Sequence, residues 1–377
     1  MELTNSVTAY IDEHMEELQQ LLIALAQIPA PSHHEEQRAA FCRDWLTEQG
    51  CEGVFVDDVL NVIYPLGCDA DKPLIVFMAH SDVVFPDTNP LPLEIRDGRI
   101  YCPGVGDDSA NVAALMMTAK YIAETGLCPQ NHGVLLVVNS CEEGLGNLKG
   151  SRHIMERYGE RIVEFYSLDG TADGCVDRAV GSRRFRVSVE TEGGHSYADF
   201  GNRNAIAVLS EMISDLYRLE VPSLGKTTYN VGEIRGGTSV NTIAQQAEML
   251  YEFRSDERDS LYEMQHQFDA IINAYRSCGL RITVELVGDR PCGGDVDRTR
   301  QLAMLGRVSD AVERHFGHTC PARSGSTDCN IPLSMGIPAV CVGCYHGAGA
   351  HTRQEYVEID SLLPGLKLAF DLILHHF

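Results

Sequence analysis

Apolar positions in the first half of the chain switch between helical spacing and short continuous runs. Residues 6–28 carry apolar side chains at helical spacing and end before Pro29, and residues 35–49 repeat this pattern up to Gly50. Short apolar runs typical of buried strands follow, with one helical stretch among them, at residues 59–65, 74–79, 110–124, 134–138 and 163–168. Strands and helices that alternate in this way predict an α/β domain built on a sheet.

The pattern changes after Asp169. Residues 184–190 alternate polar and apolar side chains, as an antiparallel strand does. The elements predicted after it are a helix, two strands, a helix and a strand, at residues 204–219, 227–234, 247–254, 260–278 and 281–286. This βαββαβ order, over roughly 110 residues, predicts a ferredoxin-like domain.

Residues 337–342 form a continuous apolar run like those of the first half of the chain, which predicts another buried strand of the first domain. A chain of 377 residues also exceeds the length at which a single core usually keeps growing. We therefore predict a discontinuous catalytic domain, residues 1–182 with 290–377, that carries an inserted domain at 183–289. The fold class is α/β, with a mixed sheet in the first domain and an α+β arrangement in the second.

Composition narrows the classes of function. A net charge of −24 and a pI near 4.9 would repel nucleic-acid phosphates and anionic lipids, so neither kind of partner is expected. The amino terminus shows no signal-peptide pattern, and the apolar runs are too short to span a bilayer. Thirteen cysteines without a regular framework suit a reducing compartment. A cytoplasmic protein is the expectation.

Acidic residues and histidines cluster where predicted strands end. Seven of them follow or join apolar runs: His80, Asp82, Asp107, Glu142, Glu143, Asp169 and His351. Two histidines and several carboxylates are what a pair of divalent metal ions needs, with one carboxylate left for proton transfer. The pattern predicts a metallohydrolase.

Each of these residues also has a structural interpretation. His80 and Asp82 are two apart, so Asp82 can orient the imidazole, although a surface histidine beside a helix cap would look the same. Asp107 precedes a predicted helix and could cap it, or its two oxygens could bridge two ions. Glu142 and Glu143 could form a solvated acidic turn, or one could bind metal while the other accepts a proton.

Ordered motifs across nearly the whole chain resemble those of the M20 family of zinc-dependent exopeptidases and amidohydrolases. The motifs are Ile28–Ser32 with Glu35-Glu36, Ala79–Val83, Gly106–Asp108, Glu142–Gly144, Gly193–Ser196, Gly236–Asn241, Ser326–Asp328 and His351-Thr352. The family includes tripeptide aminopeptidases, carboxypeptidase G2-like enzymes, aminoacylases and desuccinylases. The resemblance implies a zinc-exopeptidase-like catalytic domain with an inserted lid and dimerisation domain.

The resemblance also implies a role for each residue of the cluster. His80 and Asp169 would hold one metal ion, Glu143 and His351 the other, and Asp107 would bridge them. Glu142 would act as general base on a metal-activated water, and Asp82 would orient His80. The peptide bond after the bridging aspartate is cis in this family, which places a cis bond between Asp107 and Asp108.

In the inserted domain the resemblance implies residues that act on the substrate. His195 would reach the active site of a partner subunit in a homodimer and bind the oxyanion formed in the reaction. Asn241 and Arg254 would contact the substrate, although Arg254 could equally pair with the nearby Glu252.

Substrate and metal follow less directly from the sequence. The family's Lys after the bridging aspartate is replaced by Asp108-Ser109, and Tyr197–Phe200 stands where a proline is common. In the family that the chain resembles, aspartate rather than glutamate at the position of Asp169 accompanies aminopeptidase or dipeptidase activity. The resemblance therefore implies a small-peptide exopeptidase of the aminopeptidase or di/tripeptidase kind rather than an N-acyl amino acid amidohydrolase. Two divalent ions are expected, with zinc as the default and cobalt or manganese as alternatives. An inactive binding protein on this scaffold would have lost part of the set, and the set is complete.

Overall fold

The computed structural model describes residues 2–69 and 71–377, which divide into two compact units. The first comprises the described residues up to Ala179 together with Gly294–Phe377, and the second is Val180–Gly293. The helices are α1 Asn5–Glu13, α2 Met15–Gln27, α3 Glu36–Glu48, α4 Asn111–Thr125, α5 Lys149–Tyr158, α6 Ala205–Leu216, α7 Arg258–Ser277, α8 Arg298–Phe316, α9 Asn330–Ser334 and α10 Leu362–Leu374.

The strands range from two to ten residues. They are β1 Phe55–Val56, β2 Val62–Leu66, β3 Leu74–His80, β4 Glu94–Arg96, β5 Arg99–Tyr101, β6 Gly133–Asn139, β7 Ile162–Ser167, β8 Cys175–Ala179, β9 Gly181–Glu190, β10 Gly194–His195, β11 Thr227–Gly236, β12 Thr242–Ile243, β13 Gln246–Ser255, β14 Arg281–Arg290, β15 Ala322–Gly325, β16 Ala339–Val342, β17 Gly347–Ala348 and β18 Tyr356–Glu358.

The first unit is built on a mixed sheet. Over the described residues its order is β1-β2-β6-β3-β7-β16-β8-β15, and the central β6, β3, β7 and β16 run parallel. Alternate side chains of β3 enter two different cores, with Phe77 on one face and Val76 on the other. Because helices cover both faces, β3 is buried throughout, which explains why its sequence reads as one apolar run.

The parallel strands bring the predicted chemistry to one edge of the sheet. His80 ends β3, Glu142 and Glu143 follow β6, and Asp169 follows β7. Since the carboxyl ends of parallel strands meet at one edge, this is where ligands bind in open α/β sheets.

The amino-terminal helix predicted at residues 6–28 is wrong in one respect, because it is two helices that meet at His14. The His14 backbone leaves helical geometry, with φ −106° and ψ 14°. Its ring stacks on Tyr10, and its Nδ1 lies 2.7 Å from the Tyr10 carbonyl oxygen. This local contact turns the chain between α1 and α2 without interrupting the apolar spacing that suggested one helix.

The second unit has the predicted α+β arrangement. Its antiparallel sheet has the order β11-β13-β9-β14 within the described chain, and α6 and α7 contribute Leu209 and Phe268 to the core on that sheet. Apart from the short β10 and β12, its elements follow the βαββαβ order of a ferredoxin-like fold. No helix in the described residues is long and apolar enough to cross a membrane. All thirteen cysteines are free thiols.

Candidate metal centre

The imidazole of His80 lies buried at the end of β3, held at both nitrogens. Nδ1 lies 3.0 Å from the backbone oxygen of Asp82, and Nε2 lies 3.1 Å from Oδ1 of Asp107. A carbonyl oxygen can only accept, so Nδ1 donates and Nε2 is the nitrogen that faces the site. Burial lowers the pKa of His80, but Asp108 and Asp107 outweigh burial and raise it well above its ordinary value.

Asp82 connects His80 to both glutamates. Its carboxylate accepts hydrogen bonds from the backbone N–H groups of Glu142 and Glu143, at 2.9 and 3.0 Å, and from the Ser32 hydroxyl at 2.6 Å. The same carboxylate lies 3.5 Å from His80 Nδ1, so the closer contact to the ring is the Asp82 backbone oxygen. Asp82 therefore fixes the position of the Glu142-Glu143 segment as well as that of the imidazole.

Asp107 lies between the two histidines. Its Oδ1 faces His80 Nε2 and its Oδ2 faces His351 Nε2, each at 3.1 Å. The peptide bond from Asp107 to Asp108 is cis, as the resemblance implied. Burial raises the pKa of Asp107, but hydrogen bonds from His351 and His80 outweigh burial and lower it. The carboxylate presents one oxygen to each side, as a bridging ligand must.

His351 and Glu143 complete one side of the cluster. His351 Nε2 lies 3.0 Å from Glu143 Oε1, so this nitrogen faces two carboxylates. The two contacts raise the pKa of His351 to about 10. An imidazole proton between two carboxylates occupies the position that a divalent cation would take.

Asp169, which follows β7, and Glu142, which follows β6, complete the cluster. Ligand atoms of His80, Asp107 and Asp169 lie within 4.8 Å of one another, and so do those of His80, Glu142 and Glu143. Burial and the charge of Asp107 raise the pKa of Asp169 to about 7. The structure thus brings together seven predicted residues: His80, Asp82, Asp107, Glu142, Glu143, Asp169 and His351.

The donor set fits two divalent metal ions. Imidazole nitrogens and carboxylate oxygens are the ligands of zinc, cobalt and manganese sites. Asp107 presents separate oxygens to separate histidines, and the excess of buried carboxylates needs positive charge in the site.

Glu355 is a further residue of the site that the sequence pattern does not indicate. Its carboxylate accepts hydrogen bonds from the backbone N–H groups of Gly104, Gly106 and Asp107, at 2.7, 2.9 and 2.8 Å. Burial raises its pKa to about 7. Its position four residues after His351 was the available signal, but an isolated glutamate in a turn indicates nothing by itself.

Two more buried side chains hold the loops of the centre. The Arg38 guanidinium donates to the carbonyl oxygens of Ile28 and Ser81, at 2.6 and 2.9 Å. The Asn111 amide donates to Asp108 Oδ1 at 2.6 Å, and its oxygen accepts from the Cys344 backbone N–H at 2.6 Å. Neither residue belongs to a motif that indicates this role.

The predicted substrate residues lie in the second unit. His195 and Asn241 are neighbours, because β10 pairs with β12 and the Ser196 N–H donates to the Asn241 oxygen at 3.0 Å. A Cβ on Gly194 would lie 2.8 Å from Cβ of Asp199, so the tight turn before His195 requires glycine. Arg254 lies on β13 and donates to both carboxylate oxygens of Glu252, at 3.0 and 3.1 Å. This contact is the alternative interpretation of Arg254, a pairing with Glu252, rather than a contact with substrate.

Comparison with known proteins gives the family. The peptidase family M20/M25/M40 matches residues 76–375. Succinyl-diaminopimelate desuccinylase of Corynebacterium glutamicum is 26% identical over 346 residues, which cover 90% of this chain and 91% of that protein.

Solved structures show the same fold. A tripeptidase from Staphylococcus aureus aligns with a TM-score of 0.74 at 20% identity, covering 95% of this chain and 97% of that one. The dipeptidase Dug1p from Saccharomyces cerevisiae aligns with a TM-score of 0.76 at 16% identity, covering 98% of both chains. The chain belongs to peptidase family M20/M25/M40 and has its fold, a mixed-sheet catalytic domain with an inserted α+β lid domain.

Proposed function

We propose that this protein is a binuclear metal-dependent exopeptidase that hydrolyses amide bonds in small peptides, with aminopeptidase activity of the di- or tripeptidase kind. The observation that carries the proposal is the placement of Asp107 between His80 and His351, with Glu142 and Glu143 at the adjacent strand end. Zinc is the proposed metal, and residues 1–182 with 290–377 are the proposed catalytic domain.

The residues divide between two ions. His80 and Asp169 would hold one ion, Glu143 and His351 the other, and Asp107 would bind both. When bound, the ions polarise the substrate carbonyl and lower the pKa of water.

Glu142 is the proposed general base. Glu142 is a buried residue, 5% exposed, and its backbone N–H is fixed by the hydrogen bond to Asp82. We assign the ligand role to Glu143 and the proton transfer to Glu142, because successive side chains at a strand end can point in different directions. Glu142 takes the proton from the attacking water and returns it to the leaving amine.

His195 is the proposed donor to the oxyanion. Its Nδ1 accepts from the backbone N–H groups of Tyr197 and Ala198, at 3.2 and 3.3 Å. In the neutral ring the proton therefore resides on Nε2, which can donate to a developing negative charge. The exposed position of His195 suits a residue that meets a substrate.

A homodimer formed through the predicted inserted domain, residues 183–289, is part of the proposal. Tyr197, Phe200 and Val240 are 89%, 88% and 102% exposed around His195 and Asn241. Large apolar side chains grouped on a surface favour contact with another chain. Asn241 and Arg254 remain proposed substrate contacts, and Arg254 would have to leave Glu252 to bind a substrate carboxylate.

A desuccinylase is the second candidate function. The similarity to succinyl-diaminopimelate desuccinylase extends over 90% of the chain and favours an N-acyl amino acid substrate. The net charge of −24 favours instead a substrate with a free, cationic amino terminus. We keep the exopeptidase as the first proposal.

Mass spectrometry of products separates the two functions. The zinc-loaded protein is incubated with free di- and tripeptides and with N-acetyl and N-succinyl amino acids, with Glu142→Gln as the inactive control. Release of amino-terminal residues from free peptides supports the exopeptidase. Cleavage confined to acylated substrates would replace it with the desuccinylase.

The cytoplasm is the proposed location. Thirteen free thiols suit a reducing compartment. Fractionation of the source cells tests this, and recovery outside the cytoplasmic fraction would contradict it.

A further inference from the structure

Three side chains other than those of the candidate metal centre converge within the first unit. Asp173 follows β7, His318 follows α8, and His346 follows β16. Their ligand-capable atoms all lie within 4.8 Å of one another. His318 Nε2 lies 3.1 Å from His346 Nε2, which in turn lies 3.6 Å from Asp173 Oδ1.

The two imidazoles point at a common position. Their ring centroids are 5.2 Å apart, whereas their Nε2 atoms are 3.1 Å apart, so the rings converge through these nitrogens. Tetrahedral zinc with Zn–N bonds of about 2.0–2.1 Å separates two ligand atoms by about 3.3 Å. The observed 3.1 and 3.6 Å lie on either side of this value.

Neighbouring groups orient the side chains of His318 and Asp173 and hold the backbone of His346. His318 Nδ1 lies 3.1 Å from the Thr319 carbonyl oxygen, so Nδ1 donates and Nε2 keeps its lone pair. The Thr171 hydroxyl donates to Asp173 Oδ2 at 2.8 Å, which leaves Oδ1 facing His346. The backbone of His346 is held by the Ser361 hydroxyl at 2.9 Å.

A hydrogen bond between the imidazoles is the alternative explanation of this geometry. His346 Nε2 would donate its proton to His318 Nε2, and Asp173 would then be a spectator at 3.6 Å. A metal ion accounts for all three side chains, because each supplies one lone pair to it. The Phe316 ring lies 4.7 Å from that of His346 and forms an apolar wall beside the pair.

We propose that Asp173, His318 and His346 form a further metal site that binds a divalent transition-metal ion, with zinc preferred. Two imidazoles and one carboxylate suit zinc, nickel or copper better than magnesium or calcium, which favour oxygen ligands. The site is structural, since it joins three segments that are far apart in the sequence.

Metal counting on the full-length protein tests the site. Metal-stripped wild type, His318→Gln, His346→Gln and Asp173→Asn are reloaded with zinc, and bound zinc is counted by native mass spectrometry. We expect each variant to bind one zinc ion fewer than wild type and to keep peptide hydrolysis. Zinc should also raise Tm less in the variants than in wild type.

His153→Gln is the matched control. His153 faces Asp57 with 3.7 Å between Nε2 and Oδ2, close to the His346–Asp173 distance, and both histidine side chains are 28% exposed. His153 lacks the paired imidazole that the proposal requires, so this variant should bind as much zinc as wild type.

Chemical modification gives an independent measure. Zinc should protect His318 and His346 from diethyl pyrocarbonate, read by peptide mass mapping, and should do so equally in a His351→Ala protein. Equal zinc counts in wild type and all three variants, with modification of both histidines unaffected by zinc, would overturn the proposal. If the protein hydrolysed none of the peptides or acylated amino acids tested by mass spectrometry, the number of zinc ions bound at this site would not change. The proposed function and the proposed further metal site can therefore fail independently.

Discussion

At the residue scale, Glu355 offers a test of how Asp107, the proposed bridging ligand, is positioned. Its carboxylate accepts from three backbone N–H groups of the loop that carries Asp107. Glu355→Gln should lower zinc affinity by about 10- to 100-fold, because outer partners of ligands have effects of this size. A competitive zinc titration measures it. Glu358→Gln, which removes only a half-exposed partner of Arg99, is the control and should bind zinc normally.

In the metal-free protein, the folded state should become less stable as pH rises, because buried groups of the centre bind protons more tightly than they do in the unfolded chain. The pKa of Asp169 and that of Glu355 are both raised to about 7, from ordinary values of 3.8 and 4.5. Between these ordinary pKa values and pH 7, the folded state still holds protons that the unfolded chain has released. The free energy of unfolding therefore falls as pH rises through this range. His351, with its pKa raised to about 10, extends this fall above pH 6.5.

Urea unfolding of the metal-free protein at pH 5 and pH 7.5 measures this dependence. We expect a lower midpoint at pH 7.5, and a smaller difference once zinc replaces the protons. Asp169→Asn should also reduce the difference. A higher midpoint at pH 7.5 in the metal-free protein would contradict the expectation.

The convergence of the acidic residues and histidines could be predicted from the sequence because these residues follow the apolar runs that form the strands. His80 and Asp169 come directly after such runs. Glu355 and Arg38 could not be predicted, since they bind backbone groups that only the folded chain brings near them. The sequence cannot decide between the two interpretations of Arg254, because the choice depends on the group that its side chain contacts. In the structure, that group is the carboxylate of Glu252.

At the element scale, Arg38 attaches α3 to the segment after β3. Replacing it in Arg38→Met would leave the buried carbonyl oxygens of Ile28 and Ser81 without their donor. We expect the free energy of unfolding to fall by about 2–4 kcal/mol, as two buried acceptors lose their partner. Urea unfolding measures it. Arg43→Met on the same helix removes a 44%-exposed side chain and should have an effect of about 0.5 kcal/mol or less.

The long central elements could be predicted because burial on both faces makes them continuously apolar. β3 and β6 are examples, and each is buried at every residue. β8 and β15 could not be predicted in this way, since β15 has the sequence Ala-Arg-Ser-Gly and β8 contains Asp177 and Arg178. Such strands are fixed by pairing with neighbours rather than by their own pattern.

At the scale of the whole molecule, mixing two inactive variants tests the proposed action of His195 across a dimer. Glu142→Gln and His195→Ala are unfolded together and refolded at equal amounts. If His195 acts on the partner's centre, each mixed dimer regains one intact site, so about a quarter of wild-type activity should return. Peptide hydrolysis measures the recovery, and each variant refolded alone is the control. No recovery, with dimers detected by light scattering, would contradict action across the dimer.

The order of strands in the main sheet has a consequence for synthesis of the chain. The second unit is continuous, so a ribosome that has passed Gly293 has made all of it. The main sheet then still lacks β16, which lies between β7 and β8. His351 and Glu355 come later still. A nascent chain therefore carries a complete second unit while the main sheet is still incomplete, and the cluster around Asp107 cannot assemble before His351 and Glu355 have been synthesised.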